Sequence, residues 1–213
     1  MRHALLAALF CALPGLCAAQ EALPAPVIDN SRVTVRDIHL EKAVPGPTIP
    51  HAGDYVVLYF DGGRIRDASG KVHAWPEGAA AAGHGGTSRD TALDGPSREI
   101  VVELKDAPSH TVPNTTGLPP AFPRAGARLV LETPRVRVWN YNWTPGKPSV
   151  MHFHDTEVVV AYRGDGEIAA TTPDGKTTSH PRKTGDIVFN QAGRSHSEAL
   201  VAGHAGGVML ELK

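Results

Sequence analysis

The chain has 213 residues and a formal net charge of −1, and its basic residues form no stripe. A chain without a basic patch is a poor candidate for nucleic-acid binding. The 22 glycines and 18 prolines, together with short apolar runs, favour an all-β protein with many turns over a helical one.

Residues 1–19 differ from the rest of the chain. MRHALLAALFCALPGLCAA has a basic start, an apolar stretch, a Pro-Gly break and small residues at its end, as in a secretory signal peptide cleaved after Ala19. We therefore expect a periplasmic or secreted protein that does not contact the membrane after cleavage. Both cysteines, Cys11 and Cys17, lie in this leader. The mature chain would thus rely on His, Asp and Glu as metal ligands.

The first half, residues 20–105, contains three predicted strands. They cover 31–40, where polar and apolar residues alternate, 55–60 (YVVLYF) and 99–104 (EIVVEL). Between the last two, residues 79–86 (AAAAGHGG) are expected to form a loop. Residues 106–126 are rich in Pro, Gly and Thr and are predicted to be a linker.

The second half, residues 127–213, contains further predicted strands and no convincing amphipathic helix. Alternation along 135–143 places Trp139, Tyr141 and Trp143 on one face and Val136 and Val138 on the other. An aromatic face most often belongs to the core, with the wall of a ligand pocket as the alternative. The predicted strands are 128–132, 135–143, 157–162, 186–190 and 208–212, with a hairpin around 173–175.

The two halves resemble each other. The segment 51–60 aligns with 154–163, so that YVVLYF matches VVVAYR, and 101–105 aligns with the end of the chain. We also align 70–78 with 185–193. Agreement at separated places predicts an internal duplication.

Residues 152–157 read HFHDTE. Because residues two apart on a strand share a face, His152 and His154 should project together. Buried imidazoles need hydrogen-bond partners or a metal, and a third imidazole would come from His196 and a carboxylate from Glu157. Three nitrogens and one oxygen suit one divalent first-row metal ion, and these ligand types do not distinguish Fe, Mn, Zn, Ni and Co.

The spacing of these residues resembles the two motifs of the cupin superfamily. The first motif is Gly, five residues, His-x-His, three or four residues, Glu, six residues, Gly. The second is Gly, five residues, Pro-x-Gly, two residues, His, three residues, Asn. The matching positions are Gly146, His152, His154, Glu157 and Gly164, followed by Gly185, Gln191, Gly193, His196 and Leu200.

The resemblance implies that His152, His154, Glu157 and His196 are the metal ligands. It also implies two double-stranded β-helix, or jelly-roll, barrels in tandem, the first at 20–105 and the second at 127–213. The gap between His154 and Glu157 is one residue shorter than the motif. Gln191 and Leu200 also depart from it, and Glu198, which shares strand parity with His196, is an alternative carboxylate.

The first half keeps the shape of the motifs but loses most of the ligands. Ile49 stands where the first histidine would be, and the alignment puts Ala81 at the last ligand position. We therefore interpret the first half as a degenerate cupin. A second metal site formed by His51, Asp54 and His84 is the alternative.

The resemblance implies a metal-dependent enzyme acting on a small molecule, as a dioxygenase or an isomerase. The alternative is a non-catalytic protein that binds a small molecule or metal. The residues predicted to contact substrate are Trp139, Tyr141, Trp143 and Arg163. Homodimerisation is left open.

Overall fold

A computed structural model describes residues 22–108 and 110–213. These residues form seventeen strands and no helix, so the predicted all-β class is confirmed. The predicted signal peptide lies outside the described residues. Within the described part, no helix is long and apolar enough to span a membrane. The strands are β1 (Ile28–Asp29), β2 (Val33–Leu40), β3 (Ile49–Tyr59), β4 (Gly63–Arg66), β5 (Val72–Trp75), β6 (Ala79–Ser88), β7 (Thr91–Ala92), β8 (Ser97–Leu104), β9 (Arg128–Glu132), β10 (Val136–Trp143), β11 (His152–His154), β12 (Val158–Arg163), β13 (Gly166–Thr171), β14 (Thr177–Arg182), β15 (Ile187–Asn190), β16 (Arg194–Gly203) and β17 (Ala205–Leu212).

Each half contributes one large and one small antiparallel sheet. The large sheets have the orders β1-β2-β8-β3-β6 and β9-β10-β17-β12-β15. The small sheets have the orders β5-β4-β7 and β14-β13-β16-β11. In both halves the last long strand, β8 or β17, lies between the first long strand and the valine-rich one, which is the arrangement expected from the internal alignment.

Strand alternation directs side chains into three separate cores. Within each half, one core lies between the large and the small sheet, and it contains Ile65 and Val101 in the first half and Ile168 and Met209 in the second. The third core joins the two large sheets face to face. Its members include Phe60, Ile100 and Val102 from the first half and Val138, Val159 and Leu210 from the second.

Two sequence interpretations in the first half are wrong. Residues 79–86 are not a loop but belong to β6, which pairs with β3 along its length. The Tyr55 ring lies over this strand at Gly83, where a Cβ would approach the ring to 2.4 Å, so a larger residue at that position would displace the ring. In addition, β5 pairs with β4 rather than with β3. The counterpart of 185–193 is therefore the start of β6, not 70–78.

The predicted linker packs against the second half. Ala121 and Phe122 are buried in the core between the large and the small sheet of that half. The Ala121 amide donates to the Phe153 carbonyl at 2.9 Å, and the Phe153 amide donates to the Pro119 carbonyl at the same distance. These contacts fix the outer side of β11, the strand that carries the first two histidines. The domain boundaries stay predictions.

Candidate metal centre

The strand β11 places two imidazoles on one side of the small sheet of the second half. It pairs with β16 so that His152 lies opposite His196 and His154 opposite Arg194. Phe153 points the other way, towards the linker. All three histidines are buried, with exposed fractions of 1% for His152, 7% for His154 and 8% for His196. Segments 42 residues apart thus meet inside the barrel.

The three imidazoles converge on one point. Nε2 of His154 lies 3.2 Å from Nε2 of His152 and 3.3 Å from Nε2 of His196. The rings stand at 64° to 87° to one another, like the blades of a propeller. Two nitrogens each bonded to a metal at about 2.1 Å, with an angle of about 100° between the bonds, would be separated by about 3.2 Å. The histidines therefore fit a divalent metal ion.

Hydrogen bonding and burial prepare the imidazoles to act as ligands. The Nδ1 atom of His152 lies 2.8 Å from the Val150 carbonyl, which fixes the proton on Nδ1 and leaves the Nε2 lone pair facing the cluster. Burial lowers the pKa of His152 and, more strongly, that of His154, where Arg194 adds to the effect. Burial also lowers the pKa of His196 to about 4. All three rings are neutral at neutral pH, the form that binds metal.

Glu157 does not join the cluster, contrary to the sequence prediction. Among the described residues, the potential ligand atoms that lie within 4.8 Å of one another belong to the three histidines alone. The Glu157 carboxylate instead accepts a hydrogen bond from Arg32 Nε at 2.7 Å. The shortened gap after His154 explains this, because it gives Glu157 the parity of Val159, which faces the other half. Val158 lies one residue further, at the motif spacing, and lines the cavity.

Glu198 is the carboxylate nearest the cluster. On β16 it shares a face with His196, and its Oε1 lies 3.7 Å from His196 Nε2. Its Oε2 accepts hydrogen bonds from Arg124 at 3.0 Å and from the Trp143 indole at 3.3 Å. Burial raises the pKa of Glu198, but Arg124 and the nearby histidines outweigh burial, so its pKa is lowered. An ionised carboxylate therefore stands beside the imidazoles.

A cavity of about 190 Å³ opens beside His154 and His196. One wall is apolar and is formed by Val158, Val160 and Met209 together with other side chains of the inner core. Other lining residues carry guanidinium groups. These belong to Arg124, Arg182 and Arg194.

Solved structures reveal what this architecture is similar to. No protein-family model matches the sequence, and no curated protein matches it significantly. The cupin 2 conserved barrel domain protein from Leptotrichia buccalis is 16% identical, with 88% of this chain and 87% of that chain covered and a TM-score of 0.54. The chain has the cupin fold.

Two further similar structures are enzymes. Oxalate decarboxylase from Bacillus subtilis, described with Mn(II) centres, is 13% identical, with 85% of this chain and 68% of that chain covered and a TM-score of 0.58. Salicylate 1,2-dioxygenase from Pseudoaminobacter salicylatoxidans, in a variant complexed with gentisate, is 11% identical, with 85% and 69% covered and a TM-score of 0.56. At these identities the likeness concerns the cupin fold alone.

The predicted substrate residues lie away from the cavity beside the histidines. Trp139, Tyr141 and Trp143 are buried in the core between the large and the small sheet of the second half, and none of them lines that cavity. Trp143 reaches the site indirectly, through its bond to Glu198. Arg163 contacts Glu77 and Asn140 in a separate hollow between the halves. Their role in substrate binding stays a prediction.

The first half of the chain has different residues at the corresponding positions. Ile49 pairs with Ser88, as His152 pairs with His196. His51 is the one histidine retained among these positions, and its ring bonds to Glu103 at 2.5 Å and to Ser88 at 2.8 Å. His84 pairs with Asp54 at 2.7 Å on the surface. Among the described residues these groups do not form a cluster like that of the second half.

Arg124, Arg182 and Arg194 line the cavity, although the sequence did not predict them at the site. Arg194 was detectable, because it lies two residues before His196 and so shares its face on β16. Arg182 comes from the hairpin strand β14, and Arg124 comes from the predicted linker. No local pattern indicated that these two would reach the histidines.

Proposed function

We propose that this chain is an exported cupin that binds one divalent metal ion through His152, His154 and His196, and that it acts as a metal-dependent enzyme on a small molecule. The observation that carries the proposal is the convergence of three buried Nε2 atoms at separations of 3.2 and 3.3 Å. Fe, Mn, Zn, Ni and Co all accept such ligands. The Mn(II) centres of the similar oxalate decarboxylase support a metal in this fold.

The residues around the site suit chemistry on a small organic molecule. A bound divalent ion would polarise a substrate oxygen or lower the pKa of a bound water. Glu198 can accept a proton at Oε1, because its other oxygen is held by Arg124 and Trp143. Val158, Val160 and Met209 exclude water from one side of the cavity. The gentisate complex of the similar dioxygenase supports a dioxygenase-like reaction.

The second candidate is a non-catalytic binding protein. It is favoured by the same contacts of Glu198, because a carboxylate already bonded to Arg124 is a weaker base than a free one. Both candidates require the metal, and they differ in whether the bound molecule is converted.

Elemental analysis of protein purified without added metal tests the proposal. We expect about one divalent ion per chain in the wild type and in the control variant His204→Ala, which changes an exposed histidine of the same half. The double variant His152→Ala/His154→Ala should lose the ion. Equal metal content in the double variant and the control would refute the site. Oxygen consumption and product analysis with a panel of small acids and sugars would then separate an enzyme from a binding protein.

A further inference from the structure

We infer that the cavity beside the three histidines binds a small carboxylate, and that Arg182 and Arg194 hold it. The inference rests on the proposed function, since it names the class of molecule that this metal site would receive. It comes from charge, packing and volume around the cavity, which are independent of the identity of the metal.

Strand geometry brings the two arginines to the cavity. Arg194, His196 and Glu198 alternate along β16 and therefore share one face. Arg182 ends β14, at the far edge of the same small sheet, and its guanidinium carbon lies 4.7 Å from the centre of the Tyr162 ring. This cation–π contact holds the guanidinium of Arg182 against the Tyr162 side of the cavity.

The positive charge of the cavity is not balanced by the protein. Arg124 forms a salt bridge with Glu198, and these two charges cancel. Among the described residues, neither Arg182 nor Arg194 has a carboxylate within salt-bridge distance. The Nε of Arg182 is buried without a hydrogen-bond partner in that part of the chain, and the Nε of Arg194 donates to the Gln191 carbonyl at 2.9 Å. Arg182 and Arg194 thus remain as two cations without an acidic partner among the described residues.

Partly buried cations without counterions are unfavourable, so a ligand that supplies negative charge would be stabilised here. The neutral imidazoles contribute no compensating charge, and a divalent ion would increase the positive charge further. The guanidinium edge presents paired donors that match the two oxygens of a carboxylate.

The remaining walls and the volume favour an organic acid over an inorganic anion. Val158, Val160 and Ile168 line the cavity and offer no hydrogen bonds, and the sulfur of Met209 already accepts one from Arg124 at 3.8 Å. The cavity volume of about 190 Å³ lies below the roughly 300–1,000 Å³ of pockets for drug-sized ligands, so it suits a compact molecule. We therefore infer a compact acid with its carboxylate towards the arginines and its carbon skeleton against the apolar wall.

Calorimetric titration of metal-loaded protein tests the inference with probes matched in shape. Benzoate is compared with benzamide, and oxalate with oxamide, so that each pair differs chiefly in charge. The same titrations are repeated with Arg182→Gln, Arg194→Gln and the control Arg128→Gln, which changes an exposed arginine of the same half. Metal content is measured for every sample. Inorganic phosphate is included as a competing anion.

We expect at least one carboxylate to bind the wild type and its amide to bind far more weakly. Arg182→Gln and Arg194→Gln should each weaken carboxylate binding about tenfold to a hundredfold, while the control changes little. Equal affinity for acid and amide, tighter binding of phosphate than of any acid, or unchanged affinity in both variants would overturn the inference. Each of these results with the metal still bound would leave the proposed metal site intact. Loss of metal from the wild type would instead refute the proposed function.

Discussion

Replacing Glu157 distinguishes a structural carboxylate from a metal ligand. The cupin motif assigns this residue to the metal, whereas the structure pairs it with Arg32 between the two halves. We predict that Glu157→Ala lowers the free energy of unfolding by about 3 kcal/mol, near the lower end of the range for breaking a buried ion pair. The variant should still retain one metal ion per chain.

The magnitude follows from the surroundings of the pair. The side chains of Arg32 and Glu157 are 10% and 6% exposed, so removal of the carboxylate leaves a nearly buried guanidinium. That guanidinium keeps hydrogen bonds to the carbonyls of Ala107, at 3.1 Å, and Pro108, which reduce the loss. Replacing both charges together, as in Arg32→Leu/Glu157→Leu, should recover most of the stability, because no unpaired charge then remains.

Urea unfolding followed by tryptophan fluorescence measures the stability, and elemental analysis measures the metal. Trp139 and Trp143 are buried in the core between the large and the small sheet of the second half and should report on its unfolding. Glu41→Ala, at an exposed glutamate, is the control for removing one negative charge. The reasoning fails if Glu157→Ala loses its metal while its unfolding midpoint stays at the wild-type value.

Three more predictions concern regions outside the metal centre. Burial and the nearby Asp90 raise the pKa of Glu99 to about 9. The native state therefore keeps a proton that unfolded chains lose above about pH 5. The free energy of unfolding should fall as the pH rises from about 5 to about 9. Urea unfolding of Glu99→Gln at acid and alkaline pH should no longer show this fall in the free energy of unfolding. His51→Ala should leave the metal stoichiometry unchanged, and elemental analysis showing two ions in the wild type and one in the variant would contradict our interpretation of the first half. Leu210→Ala, in the core between the large sheets, should cost about 2 to 5 kcal/mol in urea unfolding, and a loss below 1 kcal/mol would argue against tight packing there.

Strand periodicity predicted much of the fold. The alternation in 135–143 correctly separated the aromatic face from the valine face, because each face is buried in a different core. Residues 79–88 escaped prediction, because alanine and glycine have little strand propensity and the segment is a strand through its pairing with β3. Tertiary packing thus decided the conformation of this segment.

The site could be predicted only in part. Along one strand, side chains alternate strictly between the two faces, but this alternation is lost where a strand is interrupted. His152 and His154 share a strand, and their common direction followed from spacing alone. Glu157 lies beyond the break between β11 and β12, where one residue more or less reverses the direction of a side chain. Arg182 reaches the cavity through strand pairing across the sheet, which a single sequence does not specify.

The packing of the two large sheets bears on how this protein can be dissected. A fragment starting near residue 127 would carry all three histidines. It would also expose Val138, Val159 and Leu210 to solvent as one contiguous hydrophobic patch. Such a fragment is expected to precipitate or to self-associate. The half that lacks the three histidines would then be needed to cover the apolar face of the half that carries them.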